Sequence, residues 1–167
     1  MRKSRFLAYG ALIGALYVAL THTQNALIPG SATWAIQFRA SEALCVLALF
    51  TPAAIPGLTL GCLLFNLSFA GALPLDFVVG SLATLLATAG MYALRNVKIK
   101  GLPLPALLLP AVSNAFLVGW ELSVYIGGAF WLNAAYVAAG EAIVLLVLGS
   151  ALYYTMRARK LDSRLFG

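Results

Sequence analysis

Apolar residues run almost uninterrupted through six stretches of the chain, at about 6–21, 40–55, 57–73, 76–94, 104–124 and 132–155. A helix needs ~20 residues to cross the hydrocarbon of a bilayer. The first stretch and the last three meet that requirement. The second and third are short, and they are separated by TPAAIPG at 51–57. Two prolines there interrupt the helical hydrogen-bond ladder, so the chain must bend. The pattern alone leaves two short helices or one broken helix.

Composition makes lipid the solvent. Apolar residues are 62% of the 167, charged residues only 10%, and the mean hydropathy is +0.94. A soluble domain carries about 25% charge. A chain this apolar cannot cover itself with a wettable surface, which excludes a cytosolic enzyme, a disordered tail and a secreted disulfide scaffold.

Charge placement then chooses the span number. Of the eleven bases, three open the chain (Arg2, Lys3, Arg5), three follow the fourth stretch (Arg95, Lys98, Lys100), four close it (Arg157, Arg159, Lys160, Arg164), and Arg39 stands apart. Six spans with a cytoplasmic N-terminus put every cluster on the cytoplasmic side and leave only Arg39 outside. Five spans split the clusters across the membrane. Basic loops remain cytoplasmic, so the expectation is an all-α integral membrane protein. It has six transmembrane helices, both termini cytoplasmic and one substrate-binding domain over 1–167. The net charge of +6 therefore orients the chain and gives no nucleic-acid site, which would need a basic stripe interleaved with exposed aromatics.

The loops at 22–38, 71–76 and 125–131 then face outside. The first is long for a compact bundle, half polar, and contains Trp34, Gln37 and Phe38. Loops of that length are commonly lids; an interfacial anchor with Trp34 at headgroup level is the other reading.

Only five acids occur, and Asp162 lies in the basic tail. The six-span arrangement places Glu42, Asp76, Glu121 and Glu141 in the outer half. Glu141 falls about nine residues into the last span, or ~14 Å from its start. A charge near the bilayer centre costs ~2.5–3.5 kcal/mol even on the lenient insertion scale. Asn114, seven residues from Glu121 on one helical face, reaches a similar depth, and Asn66 is the strongly polar side chain of the third span. With Arg39 nearby and Trp120, Tyr125, Trp131 and Tyr136 around the outer end, these residues predict an outward-open pocket. Carboxylates and amides there suit a flat, nitrogen-rich, cationic or neutral ring that stacks on an aromatic. The alternative is a self-satisfied network in which Arg39 pairs with Glu42 and the amides bond across helices.

Ala11, Ala15 and Ala19 recur every fourth residue of the first span, beside Gly10 and Gly14. Small residues at that spacing admit a second helix closely, either from the same bundle or from a partner protein. Cys45 and Cys62 read as buried, inert thiols. His22 lacks the company for a metal site, and none is expected. No GxxxxGK[ST], GxSxG or HExxH motif is present, so neither nucleotide binding nor catalytic residues are expected.

QFRASEAL at 37–44, IPGLTLG at 55–61 with Asn66, LDFVVGS at 75–81, SNAFLVG at 113–119 with Glu121, and AGE at 139–141 resemble the QueT family. That family comprises substrate-binding S components of energy-coupling factor (ECF) transporters, assigned to queuosine precursors. The resemblance implies a six-helix S-component bundle in a bacterial cell membrane, with an outward pocket capped by the first loop. It implies capture of a deazaguanine or queuine-like base. Ala11 and Ala15 match the family's AxxxA contact to a membrane coupling subunit. Two ATPase subunits would consume ATP, with no cofactor held by this chain. A stand-alone proton-coupled carrier for a small nitrogenous base, with Glu141 as its proton site, and a ligand-free assembly subunit are the competing readings.

Overall fold

The computed structural model describes residues 2–31 and 38–166. Trp34 and Gln37 lie outside the described residues. The described chain is helical, with one isolated bridge between Ile99 and Leu102.

Helix α1, Lys3–Leu27, is 25 residues long, or about 38 Å at 1.5 Å per residue. It outruns the expected end at 21 by almost two turns and shortens the 22–38 loop accordingly. The extension holds because its polar residues find partners. His22 Nε2 lies 2.9 Å from Ser68 Oγ, Gln24 Oε1 accepts the Ala40 N–H at 2.7 Å, and Asn25 Oδ1 accepts the Gly30 N–H at 3.0 Å. Gly30, at φ +83°, then reverses the chain in a conformation that side chains resist.

The second predicted span is the main correction to the fold. Residues Ala40–Leu49 form a 3₁₀ helix, not an α-helix, and eight of its ten residues are buried. At ~2 Å per residue it is about 20 Å long. Small and apolar side chains all around its axis place it inside the bundle, packed against α1, α3 and the last helix, rather than against lipid. The chain then breaks at Thr51–Pro52. Helix α2, Ala54–Ser68, starts three residues earlier than expected and takes Pro56 into its first turn, where a missing N–H is harmless. It also ends five residues before the expected limit of 73.

Helix α3, Asp76–Leu94, matches the predicted fourth stretch residue for residue. The fifth is divided at Leu108 into α4, Leu104–Leu107, and α5, Leu109–Tyr125. The sixth comprises α6, Phe130–Val144, a π-helical segment at Leu145–Gly149, and α7, Ser150–Ala158; a short α8, Leu161–Phe166, follows. Among the described residues, four helical stretches are long and apolar enough to cross a membrane: Lys3–Leu27, Asp76–Leu94, Leu104–Tyr125 and Phe130–Ala158. Ala40–Leu49 and Ala54–Ser68 are shorter.

Packing follows the small residues. A Cβ on Gly14 would sit 2.7 Å from the Gly57 carbonyl oxygen, and one on Gly57 would sit 2.5 Å from that of Gly10. Two G-x-x-x-G ridges, Gly10/Gly14 and Gly57/Gly61, thus bring α1 and α2 into backbone contact. The core between the helices holds Tyr17, Cys45, Val46, Leu58, Phe65, Met91, Leu107 and Leu145. Outward faces carry Leu7, Leu12, Leu60, Leu64, Leu86, Phe116 and Val147, all well exposed. This inversion is the surface of a protein solvated by acyl chains.

Candidate functional site

Four of the chain's five acids come together inside this greasy bundle. Glu42 enters at the start of the 3₁₀ helix, Asp76 at the first residue of α3, Glu121 from the last turns of α5 and Glu141 from the last turn of α6. None is more than 5% exposed, and Arg39 at 5% is buried with them. The Arg39 guanidinium lies within electrostatic reach of all four. It also stands 5.8 Å from the ring centroid of the buried Phe65, a cation–π distance.

Each carboxylate has its own arrangement. Glu42 is fully engaged: Oε1 accepts the Tyr17 hydroxyl at 2.5 Å, and Oε2 accepts the Cys45 thiol at 3.2 Å. Asp76 Oδ2 accepts the Leu73 N–H at 2.7 Å and so fixes the entry into α3. Its carbonyl accepts the side-chain amide of Asn66 at 2.8 Å, tying α2 to α3. Glu141 Oε1 accepts the Asn114 amide at 2.9 Å, joining α6 to α5. Glu121 lies beside Asp76 and the Leu75 backbone, and neither of its oxygens meets a donor in hydrogen-bond geometry among the described residues.

The oxygens left over are informative. Buried side-chain atoms with no hydrogen-bond partner are Asn66 Oδ1, Ser81 Oγ, both oxygens of Glu121, and Glu141 Oε2. Apart from the Ser81 hydroxyl, which can serve either way, all are acceptors as carboxylate or amide oxygens. Leaving a buried polar group unpaired costs ~1–3 kcal/mol, more if charged. Each such group is an acceptor that a bound donor could satisfy.

Arg39, Glu42, Asn66, Asp76, Asn114, Glu121 and Glu141 are therefore buried in the same bundle interior. Tyr125 is not: it is 42% exposed at the last residue of α5, past the level where neighbouring helices cover that face. Trp120, Trp131 and Tyr136 are exposed as well, their positions falling on the outward side of the helical repeat. The aromatic groups close to the acids are Tyr17 and Phe65, neither anticipated. Tyr17 was visible in principle, since Tyr17, Thr21 and Gln24 form one polar stripe on α1. Cys45 meets Glu42 because three residues complete a turn of 3₁₀ helix; only the helix type reveals that. Asn133, eight residues before Glu141 on α6, donates to Ser123 Oγ and the Gly127 carbonyl, both at 3.0 Å.

On the opposite side of α1 from Tyr17, Ala11 and Ala15 are exposed. They line an apolar groove of about 540 Å³ with Leu7, Pro56, Leu60 and Leu64. Gly10 and Gly14 serve the contact with α2, so the small-residue seam has both an internal and an outward face.

Long apolar helices with lipid-facing outer surfaces define a multi-pass membrane protein. The chain matches the QueT transporter family over residues 7–158, nearly its whole length, and it belongs to that family. It is accordingly a transport protein and not an enzyme. No curated protein and no solved structure matches it.

Proposed function

We propose that this chain is the substrate-binding S component of an energy-coupling factor importer. It captures a deazaguanine-type queuosine precursor from outside and hands it on with a membrane coupling subunit and two ATP-consuming subunits. In this reading the chain spans the membrane six times with both termini cytoplasmic. The 3₁₀ helix and α2 together count as the second and third passes.

The observation that carries the reading is the donor deficit among Asn66, Glu121 and Glu141. A deazaguanine presents several N–H donors along one planar edge. An aminomethyl substituent adds an ammonium. Such a ligand supplies what the buried oxygens lack, and its ring can lie against Phe65 or Tyr17. Arg39 complements a carbonyl on the same ring. Ala11 and Ala15, in their exposed groove, are the contact for the coupling subunit, where small side chains let a helix approach.

Equilibrium binding to the purified chain tests the reading. A deazaguanine base binds the wild type, and Glu141→Gln weakens it at least about tenfold, the worth of one charge-assisted hydrogen bond. Equal affinity in both proteins removes Glu141 from the site. Uptake driven by a proton gradient in vesicles containing this chain alone replaces the importer reading with that of a self-sufficient carrier.

A further inference from the structure

At the other end of the bundle, two arginines from separate helices converge on one hollow. Arg95 follows α3. Its guanidinium stands 3.9 Å from the Tyr92 ring centroid, and Nη1 donates to the Tyr92 carbonyl at 2.5 Å. Arg157 closes α7, held 5.5 Å from the Phe50 ring and bonded through Nη1 to Asp162 Oδ2 at 2.9 Å. Between them is a cavity of about 300 Å³, lined also by Asn96, Ser163, Phe50 and Phe166. Helix α8 forms its outer wall, pinned where Phe166 meets Tyr9 edge-on at 5.2 Å.

The chemistry of the lining is amphiphilic. Two guanidiniums, an amide and a hydroxyl line it together with aromatic carbon. Asp162 is the one carboxylate, and Arg157 already occupies one of its oxygens. Arg95 is held by the Tyr92 carbonyl and Arg157 by Asp162 and Tyr153, which fixes both forks, and a guanidinium's five N–H groups leave others to donate. A guanidinium fork matches a phosphate's oxygens in pairs. The location fits as well: both arginines stand at the ends of apolar helices, where lipid headgroups lie, and Lys98, Lys100, Arg159, Lys160 and Arg164 follow within a few residues. Bases near an anionic membrane surface add to its attraction.

We propose that this hollow binds the phosphate of an anionic phospholipid, with Arg95 and Arg157 gripping the phosphate oxygens and Phe50 and Phe166 packing on the glycerol and first acyl carbons. The site is distinct from the acid cluster, and the proposal stands whichever solute the chain carries.

Native mass spectrometry of the full chain, titrated with phosphatidylglycerol, phosphatidylcholine or inorganic phosphate, tests the proposal. Phosphatidylglycerol is retained in preference to phosphatidylcholine, and the double variant Arg95→Gln/Arg157→Gln loses roughly tenfold in that affinity. Arg159→Gln/Arg164→Gln removes the same charge outside the hollow and costs distinctly less, because a single lipid in detergent presents no extended anionic surface and exposed charges are screened. Arg95→Lys, which keeps the charge but loses the fork, gives an intermediate loss and serves if the double variant fails to fold. Equal losses in both double variants mean diffuse attraction and overturn the site. So does equal retention of phosphatidylcholine. Inorganic phosphate competing fully with the lipid reassigns the hollow to a free anion and overturns the lipid proposal.

Discussion

The Asn114 side-chain amide donates to Glu141 Oε1 at 2.9 Å, bridging α5 and α6 at depth, while the second Glu141 oxygen is buried with no donor. The pair holds two helices in register and leaves one acceptor over. A single carboxylate thus joins a structural contact to an unsatisfied one, and substitutions separate the two roles. Glu141→Gln keeps an oxygen for Asn114. Unfolding in mixed micelles should shift by less than about 1 kcal/mol, while ligand affinity falls. Asn114→Leu should cost about 0.6–2 kcal/mol in the same assay. If Glu141→Gln is the more destabilising of the two, the division of roles is wrong.

Tyr17 bears on the opposite side of the cluster. Its hydroxyl is the donor that satisfies Glu42 Oε1. Tyr17→Phe removes that donor without opening a cavity and should lower stability by about 1–3 kcal/mol, the cost of an abandoned buried acceptor. A thermal unfolding midpoint identical to wild type would show that water replaces the hydroxyl.

The glycine ridges give a steric prediction. A Cβ at residue 57 would lie 2.5 Å from the Gly10 carbonyl oxygen, a backbone atom that cannot turn aside. Gly57→Ala should therefore force α1 from α2 and cost about 1–3 kcal/mol. Ala11→Val, on the exposed side of the same helix, should change stability by less than about 0.5 kcal/mol. Unfolding curves of the two variants in one detergent decide it.

The groove beside Ala11 and Ala15 separates assembly from binding. Ala15→Trp fills it without touching the acid cluster. Pull-down of the coupling subunit should drop at least tenfold, taking roughly 1.4 kcal/mol as tenfold, with ligand affinity of the isolated chain unchanged. Undiminished pull-down would move the partner contact elsewhere.

Cys45 and Cys62 are 0% and 1% exposed. In the folded protein a maleimide should label neither, and both should react after denaturation. Labelling of Cys45 in the native state would mean that the 3₁₀ helix opens, since it carries that thiol into the core.

Much of this molecule could be read from its sequence. Uninterrupted apolar runs fix where a chain must be helical in lipid, because no other backbone satisfies its own N–H and C=O groups there. Asp76–Leu94 came out residue for residue for that reason. The burial of Glu42, Asp76, Asn114, Glu121 and Glu141 was also legible, since charged and amide groups in such runs have nowhere else to go. Tertiary structure alone decided the rest. The form of Ala40–Leu49 depends on helices packing around it, and a 3₁₀ turn, not an α turn, brings Cys45 to Glu42. The outward facing of Tyr125, Trp120 and Trp131 depends on which faces of α5 and α6 the neighbouring helices cover. The assignment of Gly10 and Gly14 to α2, and of Ala11 and Ala15 to an open groove, depends on a helix crossing set by carbonyl contacts between residues more than forty apart. Spacing along one helix specifies a face, and only the neighbour that arrives there specifies what the face is for.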